Sequence, residues 1–387
     1  MTTPYIIFSR KNCQVIRSCI LENYGYIRYE LPFINALAVE VPDEKIENIK
    51  AHKRVAMVAR DGSVSKLPFQ NIIGTRPYYG NTESTDHIQS LSTEAKARFA
   101  ARRAAITEKL YFMDNKGFGS TIAIIDTGIA PHYDLVKPYN RIIAFKDFIN
   151  DRTLPYDDDG HGTHVAGIAA GNGYTVGNEY LFCGTAPMAQ LVAVKALDET
   201  GSGTTSDILA AMQWVADHRE EYNIKVVNLS LGIGVDSETP LDPLLIGSAA
   251  LVSHGITVVT AAGNSGPEPC TVTSPGTSPF VITVGSCNDG GKIADFSSRG
   301  PTFSGLHKPD MVAPGVDIIS LDASTCKGYF SQSGTSMSCP YVSGVVACMY
   351  AENPHLTPGQ VKKLLTKMLT PLSNSPRDSQ GRGALYI

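Results

Sequence analysis

From residue 121 onward, short apolar runs alternate with stretches of helical composition, and this alternation limits the fold more than any other feature of the sequence. The runs Ile122-Ala123-Ile124-Ile125, Leu191-Val192-Ala193-Val194, Val226-Val227-Asn228-Leu229, Thr257-Val258-Val259-Thr260 and Val281-Ile282-Thr283-Val284 show no regular polar alternation. Strands of that kind are buried on both faces, the condition of a parallel sheet covered by crossover helices. Helical stretches at 206–218 and 244–254 supply such crossovers. The expected fold is α/β, a doubly wound parallel sheet. Ligands meet such sheets at the carboxyl ends of the strands, where Asp126, Ser230 and Asn264 all fall.

The N-terminal part has a different rhythm. Tyr5-Ile6-Ile7-Phe8, a helical stretch at 12–24, Tyr26-Ile27-Arg28-Tyr29, Ala36-Leu37-Ala38-Val39-Glu40-Val41, a second helical stretch at 43–52 and Val55-Ala56-Met57-Val58 follow in turn. This β-α-β-β-α-β order predicts a small α+β, ferredoxin-like domain over 1–65. Pro68, Gly74, Pro77 and Gly80 mark a linker, taken as 66–105, and the remainder, 106–387, is the large domain. A helix over 92–111 presents Lys96, Arg98, Arg102 and Arg103 as a solvated face.

With 387 residues, 43% of them hydrophobic, the chain can bury a large core. A net charge of −4 leaves no basic footprint, so nucleic acid is not an expected partner. The four-residue apolar run Tyr5-Ile6-Ile7-Phe8 is too short for a leader or a membrane span, and no other stretch reaches membrane length; a cytoplasmic location is expected, or a secreted one if a leader has been trimmed away. Eight cysteines without metal spacing read as buried thiols, with Cys339 behind the site and not part of its chemistry.

Four blocks carry the chemistry. Gly334-Thr335-Ser336-Met337-Ser338-Cys339-Pro340 delivers a serine to the start of an apolar helix, whose N-terminal N–H groups face any developing oxyanion. Asp126 ends a central strand, and Asp157-Asp158-Asp159-Gly160-His161-Gly162-Thr163-His164 places a histidine at the mouth of a small-residue helix. Acyl transfer needs a hydroxyl nucleophile, an imidazole to shuttle its proton and a buried carboxylate to fix the tautomer; Ser336, His161 and Asp126 supply these. Ala261-Ala262-Gly263-Asn264-Ser265-Gly266 is the fourth block.

In this order the blocks resemble those of the subtilisin-like serine proteases, and the likeness runs through nearly all of 106–387. The resemblance implies a serine endopeptidase with Asn264 as the oxyanion donor and peptides or unfolded proteins as substrates. It implies that 1–65 is an inhibitory propeptide released by a cut within 66–105. Gly201-Ser202-Gly203 and Ser230-Leu231-Gly232 would pair with an extended substrate. Ser230-Leu231-Gly232 and Ala261-Ala262-Gly263 would wall an uncharged first pocket with Thr273 on its floor, which disfavours Lys or Arg there. Asp134 resembles a calcium ligand of secreted relatives, although the loop after Ala170 departs from their pattern; Asp157-Asp158-Asp159 is a second oxygen-rich segment, read as a hydrated loop. No cofactor is expected for the chemistry, and oligomeric state is open. His164 reads as a packed histidine. Two rivals stay open: a peptide-binding pseudoprotease, and a dedicated processing enzyme with one substrate.

Overall fold

The computed structural model describes residues 1–68, 114–177, 182–235 and 242–386. The expected helix over 92–111 and most of the expected linker lie outside them.

The first strands, β1 (Thr2–Ser9), β2 (Tyr26–Leu31), β3 (Ala36–Pro42) and β4 (Val55–Arg60), form an antiparallel sheet in the order β2-β3-β1-β4. Helices α1 (Gln14–Glu22) and α2 (Ile46–Lys50) cover one face, giving the expected β-α-β-β-α-β order. Side chains alternate across a strand, and β1 uses both faces. Tyr5 and Ile7 pack with Ile16, Ile20 and Ile49, whereas Ile6 and Phe8 join a core shared with the second domain.

That domain is built on seven parallel strands in the order β14-β13-β12-β10-β6-β8-β7. They are β6 (Thr121–Asp126), β7 (Ile142–Asp147), β8 (Gln190–Lys195), β10 (Ile224–Leu229), β12 (Thr257–Ala261), β13 (Ile282–Cys287) and β14 (Met311–Pro314). One face carries α4 (His161–Ala170), α7 (Thr335–Glu352) and α8 (Pro358–Met368); the other carries α5 (Thr205–Asp217) and α6 (Pro243–Ser253). The large domain also contains the short helices α3 (Tyr133–Val136) and α9 (Arg377–Gln380) and the hairpin of β15 (Ile318–Leu321) with β16 (Tyr329–Gln332). Along β6, Ile122 and Ile124 face the α4 and α7 side while Ala123 and Ile125 face α5 and α6, so both surfaces are dry.

The small domain rests on α5 and α6. Ile6, Phe8, Leu31 and Ile34 share one core with Leu209, Met212 and Leu244. Each such side chain contributes about 1.5–3 kcal/mol on full burial, so apolar contact outweighs the accompanying pair of a partly exposed Arg28 with a buried Asp207 at 2.8 Å. The first turn of α5 is closed as well. Ser206 N donates to Asp61 and Thr205 N to the Gly62 carbonyl, which satisfies two of the otherwise orphaned helix N–H groups.

Beyond Gly62 the chain crosses to the large domain as β5 (Ser63–Lys66), antiparallel between β9 (Ser202–Thr204) and β11 (Leu231–Gly232). The anticipated boundary between residues 65 and 66 therefore falls inside a strand.

Candidate active site

Asp126 stands at the carboxyl end of β6, and His161 is the first residue of α4. After Asp126 the chain must turn sharply: Gly128 has φ of 120°, and a Cβ there would lie 2.2 Å from the Tyr156 carbonyl oxygen. The turn brings Asp126 Oδ1 to 2.6 Å from His161 Nδ1, with both side chains buried. A carboxylate can only accept, so Nδ1 carries the proton and Nε2 is the basic nitrogen.

Ser336 is the second residue of α7. Its Oγ donates to the Ser230 carbonyl at 3.2 Å, and Ser230 Oγ donates to the Ser336 carbonyl at 3.0 Å. The second bond has a cause in the sequence: Pro340 lies inside α7 and lacks the N–H that would have bonded that carbonyl four residues back. Asn264 follows β12. Its Oδ1 accepts from Thr335 N and Thr335 Oγ1, both at 2.9 Å, which orients the amide so that Nδ2 donates to the Pro68 carbonyl at 2.8 Å.

The β5 segment thus occupies the cleft. Lys66 N donates to the Gly201 carbonyl at 2.8 Å, and Ser65 sits opposite both Gly232 and Ser202. Val64 and Leu67 are buried while Ser63, Ser65 and Pro68 are exposed. Val64 packs in the core that holds Leu231 and Ile208, Leu67 in the one that holds Ala261 and Met337. Thr273 donates from N and Oγ1 to the Ala262 carbonyl, at 2.9 and 3.3 Å. A Cβ at Gly232 or Gly263 would come within 2.6 or 2.8 Å of Thr273, so this residue is wedged between the two expected pocket walls. All the expected cleft residues, 201–203, 230–232, 261–263 and 273, therefore line one region.

The acidic triplet is not a hydrated loop. Asp157 accepts from Thr127 Oγ1, Gly160 N, Thr163 N and Thr163 Oγ1 at 2.6–2.9 Å. Asp158 pairs with the buried Lys195, and Asp159 with Lys66. Each carboxylate has its own polar partners, which is why the run reads as solvent-loving in sequence and is largely committed in the fold. Cys339 donates to Asn228 Oδ1 at 3.2 Å, and burial pushes its thiol far up, leaving it inert behind the site. None of the eight cysteines is disulfide-bonded.

Asp134 does not face a cradle suited to calcium among the described residues. Its Oδ1 accepts from Thr175 N and Oγ1 at 2.9 and 2.6 Å, and its Oδ2 from Tyr329 at 2.7 Å. The cation that gathers main-chain oxygens here is Arg141, bonded to the carbonyls of Ala170 (2.6 Å), Ala189 (3.1 Å) and Asp134. Burial pushes the guanidinium down to about 10, so it stays charged at neutral pH. Replacing Arg141 by Met is expected to cost about 2–4 kcal/mol, since the Ala170 and Ala189 carbonyls lose the guanidinium and that of Asp134 keeps only Asn172 N. The melting temperature checks this, and adding a chelator to the wild type is expected to leave it unchanged.

His164 is packed, as expected. Its Nε2 donates to the Phe330 carbonyl at 3.2 Å, and burial pushes it down to about 3 from 6.5. The folded protein keeps it neutral, whereas the unfolded chain takes up a proton below about pH 6.5. Its stability contribution is therefore complete above that pH and declines as pH falls toward 3. Denaturant melts at pH 6.5 and 5 are expected to show about 2 kcal/mol more loss in wild type than in His164→Gln.

Sequence reasoning missed the roles of Ser230 Oγ, Lys195, Arg141 and Asp159. Lys195 had a signal, a cation ending the apolar run Leu191-Val192-Ala193-Val194. Arg141 had none.

Comparison with known proteins agrees with this geometry. The profile of the Subtilase family matches residues 117–383. Serine protease AprX of Bacillus subtilis (strain 168) is 42% identical over 294 residues, covering 70% of this chain and 65% of the relative, so the chain spans just under two thirds of that protein. Subtilisin E of the same organism is 32% identical over 364 residues, 93% of this chain and 82% of the relative. The Thermostable alkaline protease of Halalkalibacterium halodurans is 34% identical over 258 residues, 67% of this chain and 64% of the relative. With the fold, the chain order of Asp126, His161 and Ser336 and the long profile match in agreement, the chain belongs to the subtilase family of serine peptidases.

Proposed function

We propose that this chain is a serine endopeptidase made with its own inhibitor in residues 1–68. Ser336 Oγ attacks the scissile carbonyl and His161 Nε2 takes its proton. Asp126 holds the imidazole in the Nδ1–H tautomer and stabilises the imidazolium. The Asn264 amide and the Ser336 N–H bind the oxyanion, a contribution of about 2.7–4 kcal/mol for one donor in subtilisin itself. His161 then returns the proton to the leaving amine, and water activated by the same nitrogen hydrolyses the acyl-enzyme.

The observation that carries this reading is β5. A peptide lies in the cleft as a third strand between β9 and β11, with an apolar side chain, Leu67, inside and a carbonyl on Asn264 Nδ2. This supports extended substrates recognised through main chain, with an uncharged residue in the first pocket. It also supports inhibition over consumption: the carbonyl on Asn264 belongs to Pro68, one residue beyond Leu67, and the bond after Leu67 is a Leu–Pro imide without an N–H. The carbonyl that Asn264 holds is therefore not that of the residue whose side chain is buried there.

Incubation of the purified chain with an unfolded protein such as carboxymethylated casein, with Ser336→Ala in parallel, tests the reading. Serine-dependent fragments with many different ends are expected. A single cleaved bond would favour a dedicated processing enzyme, and no fragments from either protein would favour a peptide-binding pseudoprotease.

A further inference from the structure

We propose that Asp159 makes the cleft selective for a lysine or arginine at the substrate position immediately before the one whose side chain enters the first pocket. The inference rests on the peptidase reading above and names a substrate class for the same cleft.

Lys66 occupies that position, one residue before the buried Leu67. Its ammonium pairs with Asp159 Oδ2, and the side chains are only 19% and 7% exposed, so the pair is largely withdrawn from water. The carboxylate is fixed from behind, because its Oδ1 accepts from His161 N at 3.1 Å. The path to it fits a long, unbranched side chain. A Cβ at Gly201 would lie 2.4–2.6 Å from Lys66 Cγ, Cδ and Cε, so the methylene stem lies across a surface that exists only because residue 201 is glycine. Gly201 also sits at φ of 76°, a conformation glycine adopts without strain. Its carbonyl holds Lys66 N at 2.8 Å, which aligns backbone and side chain with the same subsite. The neighbouring acids are engaged elsewhere, Asp157 with Thr127 and Thr163 and Asp158 with Lys195. Asp159 is the member of the triplet that meets the cleft.

A cation here finds a preformed partner, an apolar side chain leaves the carboxylate covered without one, and an acid meets like charge. The expected preference in kcat/KM is about 10–30-fold for Lys over norleucine and more than about 100-fold for Lys over Glu. Arg is expected to stay within a few-fold of Lys.

The test uses the full chain and quenched peptides Val-Ser-Xaa-Leu-Ser-Gly with Xaa as Lys, Arg, norleucine or Glu. Ratios within one preparation do not depend on how much of the enzyme is self-inhibited. Asp159→Asn keeps the shape of the side chain and is expected to bring the Lys-to-norleucine ratio to within about twofold of unity. The wild-type ratios of Lys to norleucine and Lys to Glu are a readout that stands even if the variant does not fold. A flat ratio in wild type, or one that Asp159→Asn leaves unchanged, overturns the proposal while the peptidase reading survives. No cleavage of any peptide beyond that seen with Ser336→Ala overturns both.

Discussion

Replacing Ser336 by alanine is expected to lower kcat toward peptide substrates by about 10⁶, a size known from a subtilisin rather than calculated from this geometry. The direction follows from the site. Ser336 lies in the first turn of α7 with its Oγ on the Ser230 carbonyl, behind an Asn264 whose amide is locked by two bonds from Thr335. Alanine removes the attacking oxygen and leaves the oxyanion donors and the cleft in place, so binding should survive where turnover does not. Cys339→Ala is the control. That thiol is fully buried against Asn228, and its loss is expected to alter kcat by less than about threefold while costing some stability. Steady-state kinetics on one peptide, with circular dichroism to confirm folding, separates the two. A Ser336→Ala protein with unchanged kcat would remove this residue from the chemistry.

Leu67→Asp is expected to raise the initial rate of the freshly purified, mass-verified intact chain by about 30–100-fold. Leu67 directly follows β5 and is buried in the apolar core that holds Ala261 and Met337. Burying an unpaired carboxylate there costs several kcal/mol, more than the few hydrogen bonds that hold β5 return. The small domain should remain docked through Ile6, Phe8, Leu31 and Ile34, so the change acts on the strand and not on the fold. An unchanged initial rate would mean that β5 does not restrain the enzyme. Adding the isolated peptide Ser-Val-Ser-Lys-Leu-Pro in trans should partly restore inhibition of the variant.

What could be read in advance depended on whether the determining interactions were local. Ile122 to Ile125 declared itself because a strand dry on both faces must be apolar throughout, and Asp126 and Asn264 followed as polar residues at strand ends. The split-βαβ order was legible because β1 and β3 are largely buried apolar runs and β2 alternates exposed and partly buried residues. By contrast, β5 reads Ser-Val-Ser-Lys and has no signal of its own; it is a strand only because β9 and β11 lie on either side of it. Strand β7 was hidden because Lys146 and Asp147 dilute its apolar run, and β14 because Met311-Val312-Ala313-Pro314 is too short to stand out. The acidic triplet was misread for the same kind of reason. Its partners Lys66, Thr127 and Lys195 are distant in sequence, and a carboxylate with a distant partner looks like a carboxylate in water. Arg141 taking the place expected for a cation beside Asp134 belongs to this class too.

The proposed function makes Ser336 an activated nucleophile behind a strand that blocks it. Labelling with a serine-directed fluorophosphonate, followed by peptide mapping over time, addresses both halves in one measurement. Modification is expected at Ser336 alone, slow in wild type, at least about tenfold faster in Leu67→Asp, and abolished in His161→Ala. Modification at another serine, or no modification of Ser336 in the unblocked variant, would contradict the proposed function.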